Sequence, residues 1–180
     1  MGYVEETGAA QHMRDARITT IYEGTTGIQA GDLVGRKILR DKGAALQALI
    51  ADVMASDEDF ARHDDRLAPI REMVAQGARD LQASAECLFA NATEDAAAPG
   101  AMSFNLLMLA GSLLGGWHLG RAAVIAAERL DAGTDDPDFC SAKIVTATFF
   151  AEQVLPLTGA YRKAIEAGSG TIMALAEDQF

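Results

Sequence analysis

Arg14-Asp-Ala-Arg-Ile-Thr-Thr-Ile-Tyr-Glu-Gly-Thr-Thr-Gly-Ile-Gln29 is the stretch of this 180-residue chain that stands out from its alanine-rich helices. It sets one carboxylate, Glu23, between the apolar pair Ile21-Tyr22 and the turn Gly24-Thr25-Thr26. Burial disfavours the charged form of a carboxylate and raises its pKa, which suits a general base. The adjacent Gly24 lets a substrate approach the backbone. The plainer alternative is a surface carboxylate favouring a helix N-terminus.

Working outward, Thr25 is a good N-cap for a helix from about Thr26 to Arg40, with Ile28, Leu33, Ile38 and Leu39 on its inner face. Gly43 follows the basic residues Arg36, Lys37, Arg40 and Lys42, a favourable helix ending. Upstream, Val4–Met13 carries helix formers cut by Gly8, and Arg14–Thr20 can continue that helix. Ile18, Ile21 and Tyr22 loosen it. Arg14, Asp15 and Arg17 read as a structural ion-pair network.

The remainder predicts an all-α, antiparallel helical bundle. Leu46, Leu49, Ile50 and Val53 fall at helical spacing over Ala44–Ala55. Ser56–Asp65 is a polar connection with room for a short helical turn. It lacks the glycine and closing Glu of a calcium loop. A long helix follows over Leu67–Asn91, with Ile70, Met73, Val74, Ala78, Leu81, Ala85 and Leu88 inward, and Thr93–Gly100 reads as a loop. Ala101–Leu130 has no Lys, Arg, Asp or Glu before Arg121. Its length suits a membrane span. Ser103, Asn105, Ser112 and His118, the charged continuation and the lack of a preceding basic cluster favour the buried centre of a bundle instead. Gly111, Gly115, Gly116 and Gly120 permit close helix contact. A final helix is expected over Phe139–Ala167, kinked by Pro156 and ended by Gly168.

The chain is 49% hydrophobic and 23% charged, enough to bury a core. Its net charge of −11 argues against nucleic acid and anionic membrane surfaces as partners. Cys87 and Cys140 show no metal or redox spacing and read as packed, reduced thiols, which with the absence of a signal-peptide pattern points to the cytoplasm. No metal-ligand spacing, phosphate loop or Ser-His-Asp set is present. His118 on its apolar helix reads as a hydrogen-bonded core residue, and Trp117 and Met73 as core.

Gly2-Tyr3, then Arg14-Asp-Ala-Arg-Ile18, then Ile21-Tyr-Glu-Gly-Thr-Thr-Gly-Ile-Gln29 resemble the C-terminal signature of the acyl-CoA dehydrogenase family. The match covers about 40 residues in order and spacing. The chain is most similar to the long bacterial subfamily that includes methylmercaptopropionyl-CoA and related fatty acyl-CoA dehydrogenases. Residues from Ala44 onward, with Phe149-Phe-Ala-Glu-Gln-Val-Leu-Pro156, resemble that subfamily's added helical domain. The implied organisation is 1–42 as the end of the family's C-terminal α-domain and 43–180 as the added domain.

The resemblance implies FAD-dependent α,β-dehydrogenation of an acyl-CoA thioester. Glu23 holds the position of the base that removes the α-proton, and Gly24 lies against the substrate. Thr25, Thr26, Gly27 and Gln29 fall where the family contacts FAD. Family members often carry Gln where this chain has Gly27, so a side-chain contact is lost there. The implied partners are an acyl-CoA, an electron-transfer flavoprotein and a second copy in a homodimer. The flavin and CoA walls belong to family domains not represented in these 180 residues. The expectation is therefore a C-terminal fragment, inactive alone. The alternative is a stand-alone helical interaction module in which Glu23 is idle.

Overall fold

The computed structural model describes residues 4–21 and 25–179. All regular elements among them are helical: α1 (Ala9–Ile21), α2 (Thr26–Asp32), a π-helical segment (Leu33–Leu39), α3 (Ala44–Ala55), α4 (Asp57–Ala61), α5 (Asp64–Asn91), α6 (Ala98–Asp131), α7 (Pro137–Gln153) and α8 (Leu157–Glu166). Short 3-10 turns lie at Glu5–Thr7 and Glu177–Gln179.

The bundle is built on α5 and α6. Buried positions on α5 include Leu67, Ile70, Val74, Gly77, Leu81, Ser84 and Leu88. Those on α6 include Met102, Leu106, Leu109, Leu113, Gly116, Gly120, Ala123 and Ala127. Both series alternate steps of three and four residues, the spacing that lets two helices mesh along one seam. Their directions are opposite, since Gly77 meets Leu113 while Gly120 meets Ile70. The apolar helix α6 also packs against α2, α7 and α8. It is the helix long and apolar enough to cross a membrane among the described residues, and 39% of its apolar window is buried inside the bundle.

Two glycines on α6 are demanded by contact. A Cβ at Gly116 would lie 2.7 Å from Leu155, and one at Gly120 would lie 2.8 Å from Phe60. Phe60 projects from the short helix α4 and is 1% exposed. Burial of this one ring secures the polar Ser56–Asp65 connection to the core, worth about 1.5–3 kcal/mol.

Some elements differ from the sequence expectation. The helix begun by Ala98 absorbs the end of the expected Thr93–Gly100 loop, because Pro99 fits the first turn, where its missing N–H costs nothing. Pro156 does more than kink the last helix. It ends α7 and starts α8, and the chain at the break is closed by short bonds from Leu157 N to Val154 O and Thr158 N to Leu155 O, each 3.0 Å. Leu155, fully buried at the break, packs against Gly116. His118 is exposed on the outer side of α6, its ring centroid 4.8 Å from that of Trp117, so it is not the core residue expected. Trp117 is half-buried and donates from Nε1 to Ser56 Oγ at 3.0 Å. Cys140 is buried, Cys87 half-buried, and neither is in a disulfide.

Candidate functional site

The singled-out stretch enters from α1. Gly8, at φ 75°, separates the Glu5–Thr7 turn from this helix. All described side chains from Gln11 to Thr19 are exposed, including Met13 at 70% and Ile18 at 52%. Polar contacts run along the surface. Arg14 Nη1 donates to Glu5 at 3.1 Å, Arg14 Nη2 to Gln11 at 2.8 Å, and Gln11 Nε2 to Asp15 at 2.7 Å. These solvated contacts contribute little stability. Met13, Arg14, Arg17 and Ile18 line an apolar groove of about 210 Å³.

Tyr22, Glu23 and Gly24 lie outside the described residues. Thr25, Thr26, Gly27 and Gln29 are described, and the start of α2 brings them together within about one exposed turn. Thr25 precedes the helix as expected, but with a different device. Its backbone is left-handed, at φ 49° and ψ 89°, and its side chain makes no capping hydrogen bond. Its carbonyl instead accepts from Ile28 N at 2.8 Å and Gln29 N at 3.1 Å. A β-branched residue at positive φ is an outlier, because the branched Cβ crowds the backbone there. Ile28, expected on the inner face, is 70% exposed, and Ala30 takes the buried position.

After Asp32 the helix widens into a seven-residue π segment. Ala30, Val34 and Ile38 are buried at intervals of four residues, while Gly31, Gly35, Arg36 and Lys37 face solvent. The first turn of α2 carries no acidic side chain. That turn faces solvent, and two of its N–H groups, Ile28 N and Gln29 N, already donate to the Thr25 carbonyl. The exposure of Thr25–Gln29 and the absence of a competing carboxylate in that turn fit a flavin nucleotide; Gly27 offers backbone only.

The other charged clusters join helices. Arg71 grips Asp57 through two bonds of 2.8 Å, and the Arg71 hydrogen bond holds the Asp57 carboxyl below its ordinary pKa. Arg66 donates to Asp131 at 2.6 Å, with His63 Nδ1 3.3 Å away, and Asp131 is likewise lowered, chiefly by the Arg66 bond. Asp95 is lowered by hydrogen bonds from Ser169 and from Ala97 N. Buried Asp80 on α5 accepts from Gln76, Thr158 and Arg162. Sequence reading missed this last group. Its available signal was an acid at 80 beside the inward positions 78 and 81. Among the described residues, no three His, Cys, Asp or Glu side chains converge as a metal site would require.

Residues 40–176 match the family model described as "Acetyl-CoA dehydrogenase C-terminal like", and residues 1–39 match "Acyl-CoA dehydrogenase, C-terminal domain". The 3-methylmercaptopropionyl-CoA dehydrogenase of Ruegeria pomeroyi is 43% identical over 155 residues, which is 86% of this chain and 26% of that protein. The broad-specificity linear acyl-CoA dehydrogenase FadE5 of Mycobacterium tuberculosis is 37% identical over 187 residues, 99% of this chain and 30% of its own length. A butyryl-CoA dehydrogenase of Syntrophomonas wolfei is 29% identical over 192 residues, with the same two shares. The chain thus spans 26–30% of the length of these relatives.

Proposed function

This chain belongs to the acyl-CoA dehydrogenase family, and on that premise we propose that it supplies the catalytic base to an FAD-dependent acyl-CoA dehydrogenase acting in the cytoplasm. The observation that carries the reading is Tyr22-Glu23-Gly24-Thr25-Thr26, inside the segment matched to the family's C-terminal domain. FAD, when bound, supplies the acceptor for the substrate's β-hydride.

The chain's own residues do the rest of its share. Glu23 removes the α-proton of the acyl thioester. That proton is weakly acidic, so the base must be kept from water and its pKa matched to the task. Ile21 and Tyr22 supply apolar company for it. Gly24 leaves space for the thioester. Thr25, Thr26 and Gln29 hold the cofactor by polar contact, and Gly27 contributes its backbone. Residues 1–42 form the site-bearing part and 43–180 the supporting helical domain. The parent works as a homodimer and hands electrons to an electron-transfer flavoprotein.

Exposed Met13, Ile18 and Ile28 support a surface that the rest of such an enzyme covers. The isolated chain then retains no flavin. Desalting after incubation with FAD and recording the visible spectrum tests this, and stoichiometric flavin absorbance would overturn it. In the full-length enzyme, Glu23→Gln should lower turnover by about 100- to 10,000-fold while FAD stays bound. Unchanged turnover would overturn the assignment of Glu23 as the base.

A further inference from the structure

We propose that two copies of this chain pair by exchanging the segment that follows α8, each laying residues 172–178 into a groove between α6 and α7 of the other. Such an exchange would form part of the proposed homodimer, and it rests on that reading for its place in the whole enzyme. Ala122, Ile125, Ala126, Phe139 and Cys140 wall the groove, which holds about 170 Å³. Its charged lining residues, Arg129 and Lys143, are both basic, and Lys143 Nζ lies 5.1 Å from the centre of the Phe139 ring. Among the described residues neither cation is in an ion pair. Two such cations beside an apolar groove, in a chain of net charge −11, suit an occupant that is apolar and acidic. The segment after α8 has that chemistry. Ile172, Met173 and Leu175 are each more than half exposed, and the acids Glu177 and Asp178 follow directly. Three large apolar side chains held in water on one short segment would regain burial in the groove.

The segment is too short to reach the groove of its own copy. Ser169 Oγ donates to Asp95, whose carboxylate also accepts from Ala97 N at 2.9 Å, so the root of the segment is held beside the first turn of α6. Ile125 is 27 residues beyond Ala98 on that helix, about 40 Å at the α-helical rise. From Ser169 a fully extended chain covers at most about 11 Å to Ile172 and about 22 Å to Leu175. The occupant therefore comes from another molecule. Segment and groove lie at opposite ends of α6, so two copies set antiparallel bring each segment to the other's groove at once. A two-fold axis then leaves neither groove open. The surface between them is suited to the contact. Phe139 lies beside Ala122–Arg129 and Phe150 meets Gly115, so α7 runs back along α6. Its Val145 and Phe149, more than half exposed, continue the apolar surface from the groove toward the end of the bundle that bears the segment.

Cross-linking between copies tests the exchange. In a chain carrying Cys87→Ala and Cys140→Ala, Ile125→Cys and Leu175→Cys are made separately, one of the two proteins is tagged, and the mixture is treated with a short bismaleimide. Both sites are exposed. Exchange predicts a covalent heterodimer from the mixture, and a covalent dimer without internally looped monomer when both cysteines are on one chain. Lys143→Glu in the groove-bearing protein should lower the heterodimer yield about fivefold, and Glu177→Lys with Asp178→Lys in the other protein should restore it. Sedimentation gives a second reading free of cysteine changes: ending the chain at Gly170 should raise the dimer Kd about tenfold. No heterodimer from the mixture, a looped monomer, a yield indifferent to Lys143→Glu, or a Kd unchanged by the truncation would each overturn the proposal. None of these results bears on Glu23, whose role is tested by flavin reduction, so the two failures are distinguishable.

Discussion

Thr158 Oγ1 donates to Asp80 Oδ2 at 2.9 Å, and this bond ties α8 to α5 across 78 residues of chain. Arg162 Nη1, one turn further along α8, reaches Asp80 Oδ1 at 3.1 Å. Asp80 is only 2% exposed, so its carboxylate depends on these donors and on Gln76. Removing one member of a buried pair leaves a desolvated group unmatched. Asp80→Ala should destabilise the chain by about 2–4 kcal/mol, at the lower end because Arg162 can reach water. Thr158→Val removes a single neutral donor and should cost about 1–2 kcal/mol. Urea denaturation of the two variants checks the order.

The glycines of α6 should respond with opposite signs. At Gly120 an added Cβ meets the Phe60 ring at 2.8 Å and Ile70 at 2.9 Å. Overpacking there costs about 1–3 kcal/mol and outweighs the gain in helix propensity of about 1 kcal/mol. At Gly111 a Cβ meets nothing within 4 Å, so Gly111→Ala should stabilise by about 0.5–1 kcal/mol. Thermal midpoints of the two variants, measured side by side, decide it.

Acid should loosen the helix junctions. Asp57, Asp95 and Asp131 all have folded pKa values below the ordinary carboxylate value. A depressed carboxylate stabilises the fold at pH values above its unfolded pKa, and that contribution is lost as pH falls through the folded value. Stability from these groups should therefore be constant above about pH 5 and decline below about pH 4. Denaturation midpoints measured across that range test the sign. Ser169→Ala, by removing the hydrogen bond that most lowers Asp95, should move the Asp95 titration upward in carboxyl-detected NMR.

Much of the bundle could be read before any coordinates. The helix Ala44–Ala55 follows from Leu46, Ile50 and Val53 at helical spacing after Gly43, and the structure has those bounds. The centre of the bundle was legible in a twenty-residue run without charge. At the α7–α8 break the sequence predicts a kink, because local sequence locates the lost hydrogen bond. It does not show that Leu155 is pinned against Gly116, which fixes the chain's change of direction. The apolar neighbours of His118 predict an inside position, although its own place on α6 faces out. The π segment is hidden in the sequence for a related reason. A 3.6-residue period puts Ile28, Leu33, Ile38 and Leu39 on the inner face; Ile38 is buried and Leu33 and Leu39 pack against the core, but Ile28 is exposed and the buried row steps by four through Ala30, Val34 and Ile38. At the candidate site, the position of Thr25 before α2 was legible, but its left-handed backbone was not, since β-branched residues rarely adopt it.

The most direct measurement is pre-steady-state flavin reduction by acyl-CoA in the full-length enzyme, comparing the parent with Glu23→Gln. Catalysis by Glu23 predicts bound, oxidised flavin in both proteins and reduction slowed by about 100- to 10,000-fold in the variant. Reduction at the parental rate in Glu23→Gln would contradict the assignment.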